Sequence, residues 1–227
     1  MAASRENPII FYGLDYGKGS PWSPNPYKTR LYLNYKPKMK ELRISPTSDT
    51  FPYYTMPVIV DPSSEPGGKP TYVAESFNIA IYLDDKYPAP KYPAIFPPWN
   101  AFSSNLIVAQ YFPTIIGNVA AVLSPGIFRI LDLRSMEYVK HTRGDSLRPL
   151  SEQQETIMWQ GAHDSFAAMS KALDAEGEDG PYLGDQVSFV DFGLGGLLHL
   201  MEKVDPSRLE EVLKWQSGRW RNFWRGI

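Results

Sequence analysis

The stretch Val73-Ala74-Glu75-Ser76-Phe77-Asn78-Ile79-Ala80-Ile81-Tyr82-Leu83 decides how this chain is read. With Thr71-Tyr72 ahead of it, its first part is β-branched, aromatic or small and suits a short strand. From 75 to 86 the apolar positions Phe77, Ile79, Ala80 and Leu83 fit a helix. Strand therefore runs straight into helix, with Glu-Ser at the joint. A helix N-terminus offers N–H groups and the positive end of a dipole, which suit a carboxylate. Ser76 adds a hydroxyl, and Glu75 can hold a nearby ammonium. Together they suit an amino-acid head group. The plainer reading is that Glu75 or Ser76 simply caps the helix.

Working toward the N-terminus, Glu65-Pro66-Gly67-Gly68 reads as a turn and Pro57-Val58-Ile59-Val60 as a buried strand. Pro57 cannot donate to a ladder. A cis bond between Met56 and Pro57 would leave the Val58 backbone at a sheet edge; an edge strand that merely begins with proline is the simpler alternative. Glu41-Leu42-Arg43-Ile44 alternates like a strand. Residues 23–34 suit a helix with Pro24 and Pro26 at its mouth, where missing N–H groups cost nothing. Gly17-Lys18-Gly19-Ser20-Pro21 is loop chemistry, and Pro8-Ile9-Ile10-Phe11-Tyr12 reads as the first strand. The order β-α-β then β-β-α predicts a small mixed sheet carrying helices.

Working toward the C-terminus, the punctuation stops. Sixteen of the 21 prolines precede residue 101. Pro88-Ala89-Pro90-Lys91-Tyr92-Pro93 and Pro97-Pro98 mark a change of architecture. The division expected is 1–88, a linker over 89–100, and an all-helical part over 101–227. Helices are predicted over 101–123 with a kink at Pro113, and over 127–140, 151–175, 188–203, 207–216 and 217–224. Ser151 and Gln154 form a capping box. Ser188 and Asp191 form a variant of it, in which the carboxylate reaches back to the Ser188 N–H; that pair is structural.

Composition narrows the function. The chain has 227 residues, 43% hydrophobic and 21% charged, as in ordinary globular proteins. Net charge is 23 − 25 = −2, so no basic field for nucleic acid is expected. The terminal alternation of Trp215, Trp220 and Trp224 with Arg219, Arg221 and Arg225 reads instead as a helix docking its tryptophans on the core. There is no cysteine, which excludes disulfides, cysteine–zinc sites, iron–sulfur clusters and a cysteine nucleophile. His141, His163 and His199 lack ligand spacing, so no metal is expected. The uncharged stretch 92–128 is broken by polar residues and by Pro113 and Pro125 among others, and no membrane span is expected. The absence of a signal-like start or a glycosylation sequon favours the cytoplasm.

Taken together, Met56-Pro57-Val58, Glu75-Ser76 with the helix after it, the proline-rich linker and the Ser188/Asp191 box resemble the cytosolic glutathione transferase family over nearly the whole chain. The resemblance implies an α/β thioredoxin-like N-terminal domain (1–88) followed by an all-α C-terminal helical domain, in a homodimer. Ser23-Pro24-Asn25-Pro26-Tyr27-Lys28-Thr29-Arg30 resembles the serine-type signature, which makes Ser23 the catalytic hydroxyl, with Ser20 as rival. Tyr12 is a weaker tyrosine-type candidate. With Phe51-Pro52-Tyr53-Tyr54-Thr55 and the 76–80 stretch, the chain looks similar to the fungal etherase-related class of wood-decay fungi, whose members are linked to aromatic and phenolic ligands.

On that resemblance, glutathione is the co-substrate and is bound by Ser23, Pro57, Val58, Glu75 and Ser76. Only twelve positions follow Ser45 up to and including Pro57, where the family fits a helix that helps hold the glycyl carboxylate. Lys40 or Arg43 is the substitute expected. Trp22, Tyr111 and Phe112 are candidates for a hydrophobic ligand site, although each fits a core position equally well. The activity implied is glutathione transfer to electrophilic aromatic or phenolic compounds. A ligandin-type carrier of such compounds, with little catalysis, is the alternative.

Overall fold

Three short strands form one sheet in the computed structural model, which describes residues 7–12, 49, 57–63, 65, 68–94, 96, 112–131, 133, 136–137, 140–141, 149–174 and 187–226. Strand β1 is Ile10–Tyr12, β2 is Val58–Asp61 and β3 is Thr71–Ala74, in spatial order β1-β2-β3. Both pairings are antiparallel. The predicted strand over 41–44 and helix over 23–34 lie outside the described residues. Because Val, Ile and Val fill β2 and neighbours cover it on both sides, Val58, Ile59 and Val60 are buried.

β2 is thus the middle strand of the described sheet, and this corrects the expectation of an edge. Val58 pairs with Tyr12 on one side and with Ala74 on the other. A ligand's main chain can meet this strand only where the ladder stops, at Pro57 and beyond it.

Helix α1, Ser76–Lys86, follows β3 directly, as predicted, and buries Ile79 and Ala80 toward the sheet. Asp61 ends β2 and is 1% exposed. Its carboxylate accepts the hydroxyl of Tyr82 on α1 at 2.6 Å and that of Tyr87, just past the helix, at 2.8 Å. Burial, and then the bond to Asp61, raise the Tyr82 phenol above its ordinary value of 10.0.

The rest is helical: α2 is Phe112–Ile130, α3 Glu152–Asp174, α4 Phe189–Val204, α5 Pro206–Val212 and α6 Trp215–Gly226. Residues 133, 136–137 and 140–141 are also helical. The predicted break between 123 and 127 is absent. One helix continues through Pro125 to Ile130. Close packing favours continuity there: a Cβ on Gly126 would stand 2.5 Å from a Val204 methyl and 2.9 Å from the Val204 carbonyl oxygen. By length and apolarity α2 would suffice to cross a membrane. Its apolar face, including Ile115, Val119 and Leu123, instead packs on α3 and α4.

The core of this half joins those residues to Phe166, Leu194, Leu197, Leu198, Met201 and Trp220. Each such side chain contributes roughly 1.5–3 kcal/mol by leaving water. Ser151 and Gln154 cap α3 reciprocally, at 3.0 and 3.3 Å. Asp205 caps α5 through the N–H groups of Ser207 and Arg208, with Pro206 in its first turn. The predicted helix over 207–216 stops instead at Val212. Gln216, Ser217 and Gly218 then adopt φ of 46°, 62° and 85°, a left-handed turn that redirects the chain. Trp220 is thereby fully buried, and its indole N–H donates to Gln216 at 2.6 Å. The terminal tryptophans dock on the core, as expected.

Candidate functional site

The site is assembled at one end of the sheet. The register sets Val58 opposite Ala74, so Pro57 and Glu75 are the next residues on the two strands at that end. Tyr12 closes β1 at the same level. Pro57 and Val58 are buried, while Glu75 and Ser76 are half-buried and reach the surface. The structure therefore brings together four of the residues singled out in the sequence: Pro57, Val58, Glu75 and Ser76.

Glu75 carries the unusual backbone. Its φ is 73° and its ψ 127°, a conformation that L side chains rarely adopt. Such a residue costs about 1–3 kcal/mol and is found preferentially at binding and catalytic sites. Nothing in the sequence signals it, since glutamate is not a residue favoured at positive φ. The strain lets the chain turn from strand to helix within one residue.

The consequence falls on the first turn of α1. Glu75 sits at the N-cap, and its carbonyl accepts the Ile79 N–H at 2.9 Å, yet its side chain makes no cap bond. The plain capping reading of Glu75 is therefore not what the structure shows. The N–H groups of Ser76, Phe77 and Asn78 lie outside the intrahelical ladder. They form, with the Ser76 hydroxyl, a donor cluster beside a carboxylate. That arrangement is complementary to a zwitterionic head group, its carboxylate on the helix and its ammonium on Glu75.

Behind this turn stands an aromatic cluster that sequence reasoning missed. Phe77 meets Phe96 with ring centroids 5.7 Å apart and Phe189 at 5.5 Å; Phe96 and Phe189 are 5.7 Å apart. Residues 188–191 follow the capping-box reading. The Asp191 carboxylate accepts the Ser188 N–H at 2.8 Å and its hydroxyl at 2.6 Å, and both residues are buried. Phe112, offered as a ligand-pocket wall, is corrected to a core residue. It is 4% exposed, and its ring lies where a Cβ on Gly193 would approach within 2.3 Å. Gly193 exists to admit that ring. Ser23, Ser20, Lys40, Arg43, Met56, Trp22 and Tyr111 lie outside the described residues. Among the described residues no cluster of histidine and carboxylate side chains is placed to hold a metal.

A profile of the family described as "Glutathione S-transferase, C-terminal domain" matches residues 104–227, more than half of the chain. The chain belongs to the glutathione S-transferase family. A glutathione S-transferase-like protein of Aspergillus flavus, ustS, is 26% identical over 99% of this chain and 91% of its own length. The crystal structure of the glutathione S-transferase CsGST63524 of Ceriporiopsis subvermispora, in complex with glutathione, matches with a TM-score of 0.80 and 28% identity, over 95% of this chain and 94% of that one. CsGST83044 of the same fungus, also in complex with glutathione, matches with a TM-score of 0.78 and 26% identity, over 96% of each chain. The glutathione S-transferase architecture follows: an N-terminal thioredoxin-like part, to which the antiparallel β1-β2-β3 ladder and α1 belong, and a helical C-terminal part.

Proposed function

We propose that the chain is a serine-type glutathione transferase that binds glutathione across the end of the sheet at Pro57, Val58, Glu75 and Ser76. It uses the Ser23 hydroxyl to stabilise the thiolate for attack on electrophilic aromatic or phenolic compounds. The observation that carries the reading is the junction at Glu75: a strained backbone at φ 73°, no side-chain cap on α1, and Val58 one step across the ladder. The crystallised complexes of the two Ceriporiopsis subvermispora relatives with glutathione support it. The γ-glutamyl carboxylate then sits on the first turn of α1 beside Ser76, its ammonium faces Glu75, and the rest of the tripeptide runs past Pro57.

The chemistry asks little of one hydroxyl. A free thiol has a pKa of about 8.5 and reacts as its thiolate. One unit of pKa corresponds to about 1.4 kcal/mol. A hydrogen bond to a charged group is worth roughly 1.5–3 kcal/mol, so a single bond from Ser23 brings the thiol pKa down by about one to two units, close to neutral pH. The etherase-related subclass adds aromatic ethers or esters to the acceptors.

Two substitutions test separate parts of the proposal. Ser76→Ala is expected to weaken glutathione binding by about tenfold, the worth of one charge-assisted bond, as read by calorimetric titration. Ser23→Ala is expected to lower kcat on an electrophilic aromatic substrate by tenfold or more while leaving glutathione affinity within a few-fold. An unchanged kcat in Ser23→Ala together with a loss in Ser20→Ala would move the role to Ser20. Strong thermal shifts with phenolic compounds beside negligible turnover would replace the enzyme by a carrier of aromatic compounds.

A further inference from the structure

The donor cluster on α1 is not supported from its own half of the molecule alone. Phe77 is the second residue of α1, directly after Ser76, and its ring is gripped from two directions. Phe96, 6% exposed, comes from the connecting segment. Phe189 is the first residue of α4, in the helical half. The contacts of Phe77 with Phe96 and Phe189 are edge-on, at 74° and 63° between planes, the geometry in which aromatic pairs attract through their quadrupoles.

Phe189 itself cannot drift. Ser188 and Asp191 flank it, both buried and bonded to each other at 2.6 and 2.8 Å. A rigid cap therefore fixes the ring that fixes the first turn of α1. The strained Glu75 immediately before that turn needs such support, because unfavourable dihedrals persist only where the surroundings over-determine them.

We infer that Phe189, with Phe96, is a positioning residue for the glutathione site, holding the first turn of α1 from the helical half without touching the ligand. The inference rests on the proposed glutathione site. A carboxylate on a helix N-terminus needs its donors already aimed, and any freedom left in the turn is lost on binding and subtracts from affinity. Removing the ring therefore acts on glutathione affinity and not on the reacting sulfur.

The test uses the full chain and the variant Phe189→Leu, with Phe96→Leu as a second variant should the first fail to fold, and Phe189→Tyr as the ring-retaining control. Glutathione affinity, by titration calorimetry, is expected to fall roughly tenfold in Phe189→Leu and to stay within about twofold in Phe189→Tyr. At saturating glutathione kcat is expected to change by less than about twofold, giving a split between KM and kcat. Amide hydrogen exchange is expected to rise at 79–80, the first hydrogen-bonded amides of the helix, and to stay unchanged at 82–86. Wild-type affinity and exchange in Phe189→Leu, or exchange raised equally along the whole of α1, would overturn the inference. Were the wild-type chain itself not to bind glutathione, the proposed function would fall instead, and the exchange at 79–80 would still decide whether Phe189 holds the turn.

Discussion

Helices α1 and α4 both start with a serine and an acid, and they use them in opposite ways. At α4 the acid follows the serine by three positions, reaches back over the first turn and takes both the N–H and the hydroxyl of Ser188. The pair is buried and its donors are spent on each other. At α1 the acid precedes the serine, sits at the N-cap with φ 73°, and gives the helix no side-chain cap. Glu75 and Ser76 are half-buried and reach the surface. The same residue types thus make a closed cap at α4 and leave α1 without a side-chain cap, where the proposed glutathione carboxylate would sit. Order alone does not decide it, since Asp205 precedes Ser207 at the N-cap of α5 and its carboxylate does accept the N–H groups of Ser207 and Arg208; what sets α1 apart is the positive φ of Glu75, whose side chain makes no such bond.

The strongest test of this contrast is on the closed member. Asp191→Ala leaves the Ser188 N–H and hydroxyl buried without an acceptor. Losing the cap costs about 0.5–2 kcal/mol and each buried orphan about 1–3 kcal/mol, so a loss of roughly 3 kcal/mol is expected in denaturant unfolding. A loss under about 1 kcal/mol would show that the box is not what holds the start of α4.

An intermediate effect of opposite character is expected at the open member. Glu75→Gly removes the carboxylate and also the Cβ that makes φ 73° unfavourable. Stability is expected to hold or rise by up to about 1 kcal/mol, while glutathione affinity falls about tenfold. Parallel losses of stability and affinity would erase the distinction between the two junctions.

The smallest effect concerns the far end of α1. The Tyr82 phenol is raised above 10.0 in the folded state by burial and by Asp61. The folded form therefore keeps this proton more tightly than the unfolded chain. The contribution is fully present below about pH 10 and is lost as pH rises through the folded value. Urea midpoints measured upward from pH 9 should fall more steeply in the wild type than in Tyr82→Phe. Equal slopes would remove Tyr82 from the pH response.

The sequence made the larger pattern legible because hydrophobic spacing and punctuation carry it. Strands 58–61 and 71–74, the helix after Glu75 and the helical second half follow from runs such as Val58-Ile59-Val60 and from prolines crowded before residue 101. The pair Glu75-Ser76 was visible as a helix start for the same reason. Other features depend on tertiary contacts that local chemistry does not encode. Pro125 stays inside α2 because neighbours hold the helix on both sides of it. Phe112 is core because Gly193 leaves room for its ring, and no local feature distinguishes such a phenylalanine from one lining a pocket. β2 is central because a strand whose residues stand 46–50 positions before their partners pairs on one side and its successor on the other. The aromatic meeting of residues 77, 96 and 189 joins positions more than ninety apart and has no periodic signal.

The two tyrosines on Asp61 give α1 the mechanics of a cantilever. Tyr82 and Tyr87 clamp the C-terminal half of the helix to the end of β2, at 2.6 and 2.8 Å from one buried carboxylate. At the opposite tip the described contacts of Phe77 are with the rings of Phe96 and Phe189. Ring contacts yield more readily than bonds to a buried carboxylate, so compliance lies toward the tip that carries Ser76. A load applied there is met by bending about a fixed root, so the sheet below does not have to be disturbed.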